Sequence, residues 1–167
     1  QAGVAALPSP AMTADASADD SVNALPAGTR FGELEILGTL GVGGFGIVYL
    51  ARDHSLEREV AIKEYMPSQF AKRDGRSQVS VRSLSMRETF EVGRRSFVNE
   101  AKLLARFDHP SLLKVYRFWE ANGTAYMAMP RLVGKNLRDA CKAQATPPPE
   151  AWARRVFDAV LGGLEAL

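Results

Sequence analysis

Between Leu40 and Leu50 the chain reads Leu40-Gly41-Val42-Gly43-Gly44-Phe45-Gly46-Ile47-Val48-Tyr49-Leu50, a glycine cluster running directly into β-branched and aromatic residues. Glycine at this density disfavours a helix through the cluster, and Ile47 to Leu50 favour a strand after it. The run FGELEILGTL before the cluster and FGIVYLARD across its end both carry strand-like alternation. The cluster therefore reads as a tight turn between two antiparallel strands. A third strand follows at EVAIKEYM and stops at Pro67, which has no backbone donor for a ladder.

Further on, Phe90, Phe97, Leu103, Leu104 and Phe107 recur at helical spacing among charges, which predicts one helix between Met86 and Phe107 with a buried face, halted before Pro110. Two more strand-like runs, LLKVYRFWE and TAYMAM, flank Ala-Asn-Gly, a hairpin signal because Asn and Gly tolerate positive φ. The expected fold class is α+β: a five-stranded antiparallel sheet with one main helix. LRDACKAQ and EAWARRVFDAVLGGLEAL predict two later helices, separated by the stiff PPP segment. Apolar spacing in the last of these still runs at Leu167, so the pattern is expected to continue beyond it.

Three segments follow from this pass. Residues 1–28, rich in Ala, Ser, Asp and Pro, read as a disordered tail or linker. Residues 29–132 carry the sheet and main helix, and 133–167 begin a second, helical part. Within the first folded part, Ser68 to Ser85 is polar, with Asp74-Gly75 as a turn and VSVRS as a short strand. No functional residue is expected there.

Composition bounds the function. A chain of 167 residues with 46% hydrophobic and 24% charged residues suits a globular domain, and a net charge of +2 gives no basic footprint for nucleic acid. One cysteine, Cys141, forms no internal disulfide, and with two histidines it makes no zinc spacing, so no metal ligand is assigned. A reducing, cytoplasmic compartment fits. The opening QAGVAALPSPAM has no basic region and is broken by Pro8 and Pro10, so no signal peptide is expected; no apolar run reaches the roughly 20 residues that span a bilayer.

Gly41, Gly43, Gly44 and Gly46, with Val48, satisfy G-x-G-x-x-G-x-V. Such a loop is either an ordinary hairpin turn or a flap over phosphates, since a missing Cβ lets backbone N–H groups approach negative charge. Val60-Ala61-Ile62-Lys63 follows. Alternation puts Ala61 and Lys63 on one face and Val60 and Ile62 on the other. A small residue leaves room for a flat base, and an ammonium two positions along reaches phosphate oxygens. A lone lysine on a strand is otherwise a solvated one.

This order, glycine loop then V-A-I-K, resembles that of eukaryotic-type serine/threonine protein kinases, with wording such as VAIKEYMP and NGTAYMAM similar to bacterial members. The resemblance covers residues 29–167 and implies the small lobe, the hinge and the first helices of the large lobe. It implies a helix glutamate that pairs with Lys63. Glu100 is the candidate, with Glu88 and Glu91 as alternatives on the same helix. It also implies that Met129 is the gatekeeper and Pro130 to Leu132 the hinge, the Pro130 carbonyl and the Leu132 amide serving as acceptor and donor to adenine. Leu40, Val48, Ala61 and Leu137 would enclose the base, and Leu104 and Val115 would pack helix against sheet. The stretch from Lys63 to Glu100 is longer than is usual in that family, which suggests a regulatory or docking surface.

The implied cofactors are ATP and Mg, the implied partner a protein substrate of unknown identity, with no membrane contact from this segment. The family's H-R-D-x-x-x-x-N and D-F-G motifs do not occur in the 167 residues. They are expected from about ten residues after Leu167, so this chain alone is expected to be inactive. A pseudokinase or nucleotide-binding scaffold is the second reading. A dinucleotide-binding dehydrogenase would require a helix immediately after Gly46, where the residues favour a strand.

Overall fold

The computed structural model describes residues 23–75, 77–143 and 146–167. Strands β1 (Arg30–Phe31), β2 (Leu34–Gly43), β3 (Gly46–Asp53) and β4 (Arg58–Tyr65) follow in order. A short hairpin comes next, β5 (Ala71–Asp74) and β6 (Gln78–Val81), then helix α1 (Arg87–Leu104) after a single 3-10 turn. Strands β7 (Arg117–Ala121) and β8 (Thr124–Pro130) and helices α2 (Leu137–Lys142) and α3 (Glu150–Glu165) complete the chain.

Six strands form one antiparallel sheet in the order β1-β2-β3-β4-β8-β7, and β5 and β6 pair separately. The five strands expected from sequence are β2, β3, β4, β7 and β8; the two-residue β1 extends the edge. Register shifts between Ile36 and Gly38 and between Thr39 and Gly41 break the β2–β3 ladder, which increases local twist where the glycine turn begins. At the opposite edge Ala121 pairs with Thr124 around a two-residue turn. Asn122 and Gly123 there adopt φ of 54° and 75°, as a tight hairpin between twisted strands requires.

Tyr65 anchors α1 to the sheet, its ring 5.2 Å from that of Phe90 and 5.9 Å from that of Phe97. Phe90, Phe97, Val98 and Ala101 are the buried face of α1. Gly93 makes the close approach possible, because a Cβ there would collide with the Tyr65 hydroxyl. The helix ends at Leu104 rather than at Phe107, well before Pro110. Leu104 itself is packed against the core, and past the helix end Val115 is buried.

One further sequence expectation is corrected. Packing starts before Thr29: Asn23 and Leu25 are buried, with the Leu25 amide donating to the Tyr49 hydroxyl at 3.1 Å. These contacts are long-range in sequence, which is why local composition does not reveal them. The part of the expected tail before Asn23 lies outside the described residues. The polar stretch after Pro67 has the expected turn at Asp74-Gly75, Gly75 with φ of 63°, and the expected short strand as β6; β5, which the sequence reading did not anticipate, completes the hairpin. This hairpin docks on the β7–β8 turn, the Val79 amide donating to the Asn122 carbonyl at 2.8 Å.

Candidate active site

β2 and β3 stay in register up to Gly43 opposite Gly46, so Gly44 and Phe45 form the tip of the turn. The four glycines are not equivalent. At Gly46 a Cβ would collide with the Glu64 carbonyl, so the fold itself demands glycine there. At Gly41 and Gly44 an added Cβ would meet nothing within 4 Å, and at Gly43 only the Gly46 carbonyl at 3.9 Å. None of the four has positive φ. Neither packing nor backbone conformation requires Gly41, Gly43 or Gly44, and without a Cβ their backbone is open to close approach.

Register fixes which side chains share the face below this turn. Lys63 stands opposite Val48 on β3 and Met127 on β8, and Ala61 opposite Leu50 and Met129. Directly paired residues point to one face, so Lys63, Ala61, Val48 and Met129 lie together. Ala61 and Met129 are buried, while Leu40 and Val48 are half-buried against the core. Pro130 ends β8 opposite Val60, and Arg131 pairs with Glu59, tying the exit from the sheet to the start of β4. Leu132 and Leu137 are exposed, and Asn136 caps α2 by accepting from the Asp139 amide at 2.8 Å.

The Lys63 ammonium lies 3.9 Å from a Glu100 carboxylate oxygen and 5.6 Å from the centre of the Phe97 ring. Of the three helix glutamates weighed, Glu91 is taken up by Arg94 at 2.7 Å. Glu88 sits in the first turn of α1, so Glu100 is the one brought to Lys63. Both partners are about half exposed, 36% and 52%, so the pair adds little to stability. A largely apolar cleft of about 420 Å³ opens beside it, with Phe45, Tyr65, Phe70 and Phe97 in its wall. The face thus combines bare backbone, one ammonium near a carboxylate and a shallow apolar floor, which fits a phosphate-bearing ligand with a flat base.

On the other face of β4 lies a group that the motifs did not flag. Glu64, fully buried, receives the Arg73 guanidinium at 2.7 Å on each oxygen, the Tyr49 hydroxyl at 2.5 Å and the Tyr126 hydroxyl at 2.9 Å. Burial, reinforced by the Glu64 charge, pushes the pKa of both tyrosines well above the ordinary tyrosine value. The sequence reading singled out neither Glu64 nor Arg73.

A curled antiparallel sheet with one helix packed across it, followed by the start of a helical part, is a kinase-like α+β fold. Residues 34–167 match the family described as the protein kinase domain, and the chain belongs to that family. It is 52% identical to the solved structure described as PpkA-294 apo form, with a TM-score of 0.74 over 80% of this chain and 47% of that one. The PknI kinase domain of Mycobacterium tuberculosis shares the fold at 23% identity and a TM-score of 0.66, over 86% of this chain and 51% of that one. Among curated proteins, the serine/threonine-protein kinase PknJ of Mycobacterium tuberculosis is 34% identical over 119 residues, 71% of this chain and 17% of PknJ. The serine/threonine-protein kinase pkn2 of Myxococcus xanthus is 32% identical over 120 residues, 72% of this chain and 12% of pkn2. The chain thus spans less than a fifth of those two relatives.

Among the described residues no group of three or more His, Cys, Asp or Glu is placed to hold a metal ion, and no helix is long and apolar enough to cross a membrane.

Proposed function

We propose that these residues hold ATP for a bacterial serine/threonine protein kinase that transfers the γ-phosphate to hydroxyls of a protein substrate. The observation that carries this reading is the Lys63–Glu100 pair on the face shared with Ala61 and Val48, next to glycines that the fold does not itself require. In this reading the backbone of Gly41, Gly43 and Gly44 covers the phosphates and the Lys63 ammonium meets their charge. Glu100 orients Lys63. Leu40, Val48, Ala61 and Leu137 enclose the base, Met129 limits the depth of its pocket, and the Pro130 carbonyl and Leu132 amide read its edge. ATP supplies the transferable phosphoryl group; this segment contributes nucleotide binding and charge positioning, one part of what such a loose transition state requires. The cytoplasm, where ATP and reduced Cys141 coexist, is the proposed location.

The test is phosphate transfer from γ-labelled ATP to a protein acceptor by the longest protein that contains these residues, followed by identification of the phosphorylated amino acid. Lys63→Met and Glu100→Gln are each expected to lower the rate about 10²-fold or more, with label on serine or threonine. The 167 residues alone are expected to transfer none, since neither H-R-D nor D-F-G occurs in them. If the longer protein binds ATP tightly yet transfers nothing, the scaffold reading replaces this one.

A further inference from the structure

Lys63 is poorly held on its own face. Among the described residues its one ionic contact there is Glu100 at 3.9 Å, both partners are about half exposed, and such a pair does not fix a long side chain or the strand beneath it. On the opposite face, one peptide link away, the Glu64 carboxylate is fully buried and the Arg73 guanidinium 2% exposed. The two Tyr hydroxyls and two guanidinium contacts saturate the Glu64 oxygens. Arg73 is equally tied: its Nε donates to the Asn23 carbonyl at 2.7 Å, another nitrogen to the Ser77 carbonyl, and its amide to the Asn23 side chain at 2.9 Å. Tyr49 belongs to β3, Glu64 to β4 and Tyr126 to β8, so one carboxylate fastens the three strands around Lys63 to the β5–β6 hairpin and to Asn23.

A fully satisfied buried ion pair is weak evidence of added stability, since apolar replacements often fold as well; its best-attested use is to fix one registry against others. The glycine turn rests on the same residue. Gly46 packs on the Glu64 carbonyl, and the Met66 amide donates to the Phe45 carbonyl at 3.2 Å.

We propose that the Glu64–Arg73 pair, clamped by Tyr49, Tyr126 and Asn23, is a positioning device for Lys63. The hairpin inserted between β4 and α1 thereby governs how this protein presents its lysine to nucleotide phosphates. The inference rests on the nucleotide reading above. It assigns the lengthened Lys63-to-Glu100 connection an inward role.

The experiment uses the longest protein containing this chain and an acyl-phosphate derivative of ATP. The lysine amine attacks the acyl carbon, an amide forms and ATP departs, so the acylation rate at saturating reagent reports how Lys63 sits against the phosphates. Site-resolved peptide mass spectrometry reads it, with excess ATP as competitor. Glu64→Gln combined with Arg73→Met, neutral replacements of similar length, is expected to slow Lys63 acylation about tenfold. Tyr126→Phe, which deletes one hydroxyl and keeps the ring, is expected to slow it about threefold while the protein stays folded, and it decides the matter if the double variant does not fold. Wild-type acylation rates in Tyr126→Phe and in the folded double variant overturn the inference while leaving the nucleotide reading intact. If Lys63 in the unaltered protein shows no acylation that ATP suppresses, the nucleotide reading fails and this inference falls with it.

Discussion

The hydroxyl of Tyr65 lies where any side chain at Gly93 would have to go. Tyr65 is buried against Phe90 and Phe97, so moving its ring aside would give up those contacts. Gly93→Ala on an ordinary exposed helix stabilises by roughly 1 kcal/mol; here overpacking is expected to win and cost about 1–3 kcal/mol. Chemical denaturation of Gly93→Ala measures the sign. Adding Tyr65→Phe is expected to recover part of the loss, because it removes the atom nearest the new methyl.

Stability and activity are expected to separate at Lys63 and Glu100. With the two groups 3.9 Å apart and about half exposed, the pair is worth less than about 1 kcal/mol. Lys63→Met and Glu100→Gln should melt within a few degrees of the unaltered protein while phosphate transfer by the longer protein falls about 10²-fold. A melting loss as large as that of a core deletion would instead make the pair structural.

Tyr49 and Tyr126 give the fold an alkaline limit. Burial, then the nearby Glu64 charge, raises both pKa values above the unfolded value, which is about 10. The folded state therefore binds more protons than the unfolded state above that pH. The stabilisation is fully present below about pH 10 and is lost as pH rises through and beyond it. Absorbance titration should show these two phenols ionising only as the protein unfolds, and Tyr126→Phe should move the alkaline unfolding midpoint upward relative to neutral-pH stability.

Gly123 is expected to be intolerant for two reasons that add. Its φ is 75°, and a Cβ would lie 2.6 Å from the Val79 carbonyl, which is backbone and has little room to yield. Gly123→Ala is expected to cost more than the roughly 1 kcal/mol of the φ effect alone. Proteolysis between β5 and β6, read by mass spectrometry, should accelerate in this variant, because the hairpin's seat on the Asn122 carbonyl is disturbed.

Much of this architecture is legible in the residues. The glycine cluster, the β-branched run after it, Pro67 and the Asn122-Gly123 pair fix strands and turns through local backbone preferences, which act over a few residues and need no partner. Helical spacing marked the face of α1 that carries Phe90 and Phe97 for the same reason. Lys63 stood out by motif order, and Glu100 as what the family resemblance implies, with Glu88 and Glu91 left open on the same helix.

Only the tertiary structure decided what those residues meet. Which helix glutamate reaches Lys63, that Asn23 and Leu25 belong to the packed domain, and that Arg73 crosses to Glu64 are all contacts between segments far apart in sequence. No local preference encodes them. The sequence determined elements and faces, because periodicity and backbone sterics are local; the buried carboxylate behind Lys63 acquired its partners from packing, because an ion can be taken out of water only where several distant groups converge to satisfy it.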